Sequence, residues 1–536
     1  MTTPSSAGCQ TASIMDSSTL AHLLFTPSSL LQPSTVYLQL RAVLCGAFLI
    51  LMTAHVTDRD NWCPDLPVPR ACLMRTCAML TADQKALFQK WSSEKRLISI
   101  AVRNRKKFFL DFEDFKKPKD VALIAFVPNM SKPFIGKRAY EVFDLILYYD
   151  ETKNPTSGQL KNYDEIVIDD FEELGEELKE LVDLKKLQII HCNELAYAPV
   201  CRMREKLGIA GPRLEDLDPL RCKDQTMKVA KKNGIRTARS YALDFSNFDG
   251  SVLDVVGKIE LEIGGYPMFK RPIRLGGCEG AEKIPSRDHL ADWIQEQIDQ
   301  NDPYTYLIEE YLTGREFLAS ICLLPDGSFE PLFVKYLEFG WSNVMYLKTG
   351  RPVPVLVDSF YNADKEFPKL VTFIKRVVDI FKPPAPHVFC VQGFQRTFQK
   401  DDYVLVELAH RPAGPRSNGV SYKSCGISQE TALLMSHIDP NYRPRVDPFW
   451  KRPNELQLWF PQRIGVLDYY TALPDKENVE SSIKVQWIHP LGTVFDEPKN
   501  IYIYIVILTL ECEDRTQLLK DAKWVADHWR PELSPL

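Results

Sequence analysis

PMFKRPIRLGGCEGAEKI, residues 267–284, is the stretch on which the fold turns. It reads as an apolar strand that delivers Lys270 and then enters a glycine-rich loop. A lysine at the end of an apolar strand is costly to bury without an anion. Glycines let backbone N–H groups approach phosphate oxygens. Further along, YLIEEYLTGREF (306–317) is an edge of alternating apolar and acidic residues, suited to the hydroxyls and amine of a nucleoside. YVLVELAHRPAG (403–414) is a strand that ends in a carboxylate, a histidine and an arginine, and the carboxylate suits a metal. Together the stretches imply an ATP site built between two sheets.

Upstream, VALIAFV (121–127), LILYY (145–149), EIVI (165–168) and LQII (187–190) are short apolar runs. Helical patterns separate them, including an acidic helix over 170–183, and a helix over 194–207 follows, stopped by Gly208. This alternation predicts a parallel sheet with helices on both faces. Runs without strict alternation fit strands buried on both sides. No GxGxxG is present, so a dinucleotide fold is not expected. A helix is predicted from near Asp218, with Gly234 as its stop, and then a strand over 239–243. A helix over 252–263 precedes the central strand 267–272, and a helix over 289–300 precedes the strand 304–312. A hairpin follows, 316–324 and 329–336, about a PDG turn. Residues 343–360 read as irregular, and 365–381 as an amphipathic helix with Leu370, Phe373, Ile374 and Val377 on one face. Strands 388–394 and 403–409 and a helix over 429–437 close the block. From Asp439 onward the chain reads as a small mixed domain packed on that block, with a strand at 501–510 and a helix from Arg515 to about His528.

The chain has 536 residues, 45% hydrophobic and 26% charged, as in soluble globular proteins. A net charge of -5 gives no reason to expect nucleic acid as a partner. The 13 cysteines show neither CxxC pairs nor zinc spacing, which suggests reduced thiols in the cytoplasm. Residues 1–84 read as a poorly ordered extension with a short apolar helix at 42–54. That run is shorter than the roughly 20 residues a membrane span needs. Weak membrane association through it, or an anchor, is the lesser reading. The segment 85–120 is charged and reads as helical at its start.

At these residues the chain resembles the ATP-grasp superfamily, the fold of D-alanine–D-alanine ligase, biotin carboxylase and carnosine synthase. A lysine ahead of a helix, a lysine strand before a glycine loop, EExLxGxEF, and a strand ending ExxxRPxG occur in that order over 121–437. The resemblance implies an α/β and α+β multidomain chain. An N-terminal parallel α/β sheet domain (85–215) would precede a two-lobed ATP-grasp domain (216–438) and a small mixed C-terminal α/β lid domain (439–536). It implies that Lys223 and Lys270 hold the phosphates, Lys223 aided by the positive end of its helix. Gly276, Gly277 and Gly280 would belong to the mobile lid, with Cys278 where the family often has serine. Glu309 and the backbone of Glu310 and Leu312 would face adenine, and Glu316 the ribose hydroxyls. Arg271 interrupts the family's usual Lys-Pro pair.

The implied Mg²⁺ site departs from the family. Glu407 matches the second-strand ligand, but the first acid falls on Gln392 and the usual Asn on Ala409. His410 is a poor substitute, because imidazole suits softer metals. A unit charge pair at about 4 Å is worth about 4 kcal/mol at an effective dielectric of about 20, so an amide weakens the site. Arg411 resembles the arginine that binds a substrate carboxylate and the acyl-phosphate, its fork matching both oxyanions; Gly414 and Arg416 would line the same pocket. The resemblance implies an ATP-dependent carboxylate–amine ligase using ATP and Mg²⁺, with Arg411 and Lys270 catalytic. Its partners would be small carboxylate and amine substrates, amino acids or dipeptides, with a homodimer compatible. The alternative is an ATP-binding protein with weak or lost chemistry, motivated by Gln392 and Ala409.

Overall fold

A computed structural model describes the backbone of residues 96–101, 121–127, 146–150 and 187–191. It also describes 197–536, apart from 274–277, 341–348, 399, 415–416, 418–420, 423–424, 427, 447–452 and 499–503. The expected strand at 165–168, the helix at 170–183, the apolar run at 42–54, and Gly276, Gly277 and Arg416 lie outside these residues. Among the described residues, no helix is long and apolar enough to cross a membrane.

The first sheet is parallel, in the order β3-β2-β1-β4: β1 (Arg96–Ala101), β2 (Val121–Val127), β3 (Ile146–Asp150) and β4 (Leu187–His191). β1 corrects the sequence reading. RLISIA lies inside a charged stretch read as helical at its start and with no strand expected, yet it takes a central place in the sheet. Its apolar core is short, and flanking Lys and Arg mask it. Helix α1 (Tyr197–Leu207) follows, then α2 (Leu214–Arg221) and α3 (Lys223–Lys232). The single helix expected from Asp218 is broken at Cys222, whose backbone is extended and caps α3. The break puts Lys223 at the first position of a helix.

The second sheet is antiparallel, in the order β5-β8-β6-β7: β5 (Ser240–Asp244), β6 (Met268–Pro272), β7 (Glu282–Ile284) and β8 (Thr305–Glu310). Helices α4 (Val252–Ile263) and α5 (Arg287–Asp299) start at the serine caps Ser251 and Ser286. Their apolar stripes, including Val256, Ile259, Leu290 and Ile294, pack with Met268, Ile284 and Ile308 on one face of this sheet. The other face carries Arg271 and Glu309.

The third sheet holds eight antiparallel strands, in the order β13-β12-β9-β10-β11-β14-β18-β16. They are β9 (Arg315–Leu323), β10 (Phe329–Leu337), β11 (Val353–Asp358), β12 (His387–Gln395), β13 (Tyr403–Ala409), β14 (Asn454–Pro461), β16 (Ser482–Trp487) and β18 (Tyr504–Cys512). β15 (Gly465–Leu467) pairs with β17 (Thr493–Phe495) beside it. Strand β11 lies in the stretch read as irregular, and β14, β16 and β18 carry the sheet across the expected boundary at 438/439. Alternation sorts side chains between faces. Phe317, Ala319 and Ile321 pack under α7 (Leu370–Phe381) and α9 (Arg515–His528). Cys322 and Leu318 join the opposite core with α8 (Gln429–Ile438). The short helix α6 (Phe360–Ala363) completes the order.

Gly314 makes the crossing from the second sheet to the third. Its φ is +125°, and a Cβ there would lie 2.2 Å from Gln395 O. No other residue fits that approach.

Candidate active site

Strand β6 decides which side chains enter the cleft, because neighbouring residues point to opposite faces. Met268 belongs to the core under α4 and α5. Lys270 shares its face. The ammonium lies 4.6 Å from the Trp293 ring centroid and 5.6 Å from that of Tyr306, with Glu282 Oε2 and Gly280 O each at 3.5 Å. The structure therefore places Lys270, expected at the phosphates, on the helix side of the sheet. Arg271 takes the cleft side. Its Nε and Nη2 donate to Glu309 at 2.6 and 3.0 Å, Nη2 also donates to Val406 O at 3.0 Å, and Nη1 lies 3.8 Å from Glu407 Oε2. One guanidinium thus joins the second sheet to the third.

The remaining expected residues fall around this bridge. Lys223, 6% exposed, reaches Ile273 O at 3.5 Å, where β6 gives way to the glycine loop. Cys278 turns back with φ +61°. Its thiol is pushed up to about 12, first by burial and then by the charges of Glu316 and Glu407, with Arg271 and Lys223 opposing. These four charged groups come from four elements, α3, β6, β9 and β13. Glu316, 7% exposed, is the second residue of β9 and accepts from Gln392 Nε2 at 2.8 Å. Gln392 stands opposite Glu407 in the β12–β13 register. A bulge follows at Gly393, where a Cβ would meet Val404 O at 2.5 Å. Such a bulge re-aims side chains, and it sets these two on the same edge.

Glu309 is held by Arg271, and Glu310 by Arg239, whose Nε donates at 2.9 Å. Leu312 lies in the crossing segment between β8 and β9, ahead of Gly314. His410 turns away from the carboxylate edge and bonds Pro384 O at 2.7 Å. Arg411 follows β13, and its carbonyl accepts from Cys390 Sγ at 3.2 Å. Lys335, from the middle of β10, was not singled out by any motif. Its ammonium lies 4.9 Å from the Trp459 ring centroid. It is pushed down to about 8, chiefly by burial with Arg411 adding to the fall, while Glu316 and Cys390 oppose. It therefore shares the neighbourhood of Glu316 and Arg411. Strand parity with Phe333 and Leu337 was the signal that could have found it.

No family model matches the chain. The fold is similar to an L-amino acid ligase from Bacillus licheniformis: TM-score 0.53, 13% identity, 82% of this chain and 99% of that one covered. It is also similar to N5-carboxyaminoimidazole synthetase from Staphylococcus aureus complexed with ADP: TM-score 0.50, 13% identity, 80% and 97% covered. The chain has the ATP-grasp fold. In sequence, 106 residues are 28% identical to D-alanine–D-alanine ligase A of Mesorhizobium japonicum. That match spans 20% of this chain and 28% of the ligase.

The chemistry of the ATP-grasp cleft fits a nucleoside triphosphate. Lys223 and Arg271 supply positive charge beside the glycine loop, and Glu316 supplies an acceptor on the facing sheet. The groups that could hold Mg²⁺, an ion that takes oxygen donors, are the Glu407 carboxylate and the amide oxygen of Gln392. They carry one formal charge where two carboxylates would carry two.

Proposed function

We propose that the chain is an ATP-dependent carboxylate–amine ligase acting on amino acids or dipeptides through an acyl-phosphate. The observation that supports this reading is the Arg271 guanidinium held between Glu309 of one antiparallel sheet and Glu407 of another, with Lys223 at Ile273 O where the glycine loop begins. The similarity to an L-amino acid ligase over 99% of that chain supports the substrate class.

Glu316 would accept from the ribose hydroxyls, and the segment holding Leu312 would face the base. Lys223 and Arg271 would neutralise the phosphates. When bound, Mg²⁺ would be held by Glu407 and Gln392 and would screen the phosphate charge. Arg411 would orient the substrate carboxylate. A carboxylate oxygen then attacks the γ-phosphorus, and the bond to ADP breaks. The amine attacks the acyl carbon, loses its proton, and phosphate leaves. Positioning and charge neutralisation supply the rate, with no covalent bond to the protein.

A second reading is supported by one contact. Gln392 donates to Glu316, so an amide occupies an edge where the family places an acid. The chain would then bind ATP with weak turnover. ADP release with Mg²⁺ and pooled amino acids separates the two. Stimulated release that Glu407→Gln abolishes supports the ligase. Nucleotide binding without stimulated release supports the second reading.

A further inference from the structure

Four of the chain's 9 histidines meet in a buried cluster. His191 ends β4, His387 begins β12, His410 follows β13, and His437 sits in the last turn of α8. The first three are 0%, 3% and 1% exposed. The His387 ring stacks on His410 with centroids 4.0 Å apart and on His191 at 4.5 Å. His437 stands edge-on to His387 at 5.9 Å.

Hydrogen bonds account for only part of this polarity. His410 Nε2 donates to Pro384 O at 2.7 Å, and His387 Nδ1 lies 2.9 Å from Val388 O. The His410 bond leaves Nδ1 of that ring with a lone pair, which His191 Nε2 faces at 3.3 Å, whereas His387 has a carbonyl at each ring nitrogen and can carry its proton on either. An imidazole whose outer N–H binds a carbonyl while its other nitrogen faces inward is the arrangement found around metal ligands. His387 Nε2 faces His191 O at 3.1 Å, and a single ring proton satisfies only one of the two carbonyls. Among the described residues, His191 Nδ1 and both nitrogens of His437 are buried without a partner. Groups left in this way call for a missing ligand.

His191 Nε2 lies 2.9 Å from His410 O and 3.3 Å from His410 Nδ1, so an ion held by these two nitrogens would take the place of those hydrogen bonds. Two nitrogens of a tetrahedron with bonds of about 2.0–2.1 Å stand about 3.3 Å apart. One nitrogen from each of His191, His387 and His410 lies within 4.8 Å of the others. The gap of about 1.5 Å closes by rotation about χ2, a broad torsion in histidine.

We propose that His191, His387 and His410, joined by His437, form a second metal site that takes a divalent transition ion of the zinc type. An all-imidazole set selects zinc or cobalt over magnesium. The nearby Arg204 guanidinium, which donates to Ile189 O and Pro212 O, opposes a cation and limits the affinity. An ion here would tie β4 of the parallel sheet to β12 and β13 of the large one, independently of any ligase activity.

The test uses the full chain stripped with a chelator and titrated with Co²⁺. Visible absorption bands of a tetrahedral cobalt centre should grow to about one equivalent per chain, as four-coordinate sites do. Zn²⁺ should abolish them, and millimolar Mg²⁺ should leave them unchanged. His437→Gln and His191→Gln should each weaken Co²⁺ binding about tenfold or more, a loss of about 1.4 kcal/mol. Their folding is checked by the thermal shift with ATP. Absence of the bands in the unaltered chain overturns the proposal, whatever the variants do. Equal binding by the folded His387→Gln/His410→Gln variant overturns it too.

Discussion

Arg271 and Lys270 are neighbours on one strand, and removing them separately tells which one serves the nucleotide. Arg271→Met leaves the Glu309 carboxylate buried at 4% exposure without its bidentate partner. Removing one partner of a buried pair costs about 3–5 kcal/mol, so a clear fall in thermal stability is expected. The same change removes a cation 3.8 Å from Glu407, at the edge where phosphates would lie. A unit charge at about 4 Å is worth about 4 kcal/mol at an effective dielectric of about 20. Solvent recovers part of that, and a loss of about 2.7 kcal/mol, or about 100-fold in ATP affinity, is expected by calorimetry. Arg271→Met/Glu309→Gln removes the stranded charge as well. It should regain most of the stability and none of the affinity. Lys270→Met deletes contacts to Trp293 and Tyr306 worth about 0.5–2 kcal/mol. Its ATP affinity should stay within about threefold of the unaltered chain, or about 0.6 kcal/mol. Lost binding in Lys270→Met with full binding in Arg271→Met would refute the assignment.

Glu407→Gln should raise the Mg²⁺ concentration for half-maximal ATP binding about tenfold or more, because it removes the remaining formal charge from the oxygen donors. Gln392→Glu sets a second carboxylate against Glu316, now 2.8 Å from the Gln392 amide. Two such groups cannot both ionise cheaply, so without Mg²⁺ the melting temperature should drop more at pH 8 than at pH 5. With Mg²⁺ the variant should bind ATP more tightly. Lys335 is held near 8. It is charged below that pH and neutral above it, so ATP affinity should weaken as pH rises through 8, by up to about tenfold per unit. Lys335→Met should flatten that dependence, and an unchanged profile would count against Lys335 in the cleft.

Much of the fold was legible because its signals are local. The hairpin of β9 and β10 follows from alternation and a PDG turn, and helix α7 from a clear stripe. The misses came where long-range pairing overrides composition. RLISIA looks charged by its neighbours, but pairs on both sides with apolar strands. VPVLVD, between Tyr336 and Trp459, gains its order from β10 and β14. The tail read as a separate domain because its clusters are interrupted by loops, yet β14 docks directly on β11.

The structure sets the expected acids Glu316 and Glu407 on one sheet and the expected cation Lys270 on the helix side of another, for one geometric reason. Motif matching favours lysine beside a glycine loop, whereas the strand's period of two assigns faces. Met268 must join the core of the second sheet, so Lys270 must as well, and Arg271 is left for the cleft. The same reasoning gives the amide at 392 a purpose. A carboxylate there would repel Glu316, whereas the amide donates to it and leaves its own oxygen for a metal. The charge missing from the metal edge is thus replaced by a bond that orients Glu316. Catalysis, if Gln392 is tuned this way, should be more sensitive to Gln392→Leu, which abolishes the bond, than to Gln392→Glu in saturating Mg²⁺. Equal losses from the two would leave charge alone as the explanation.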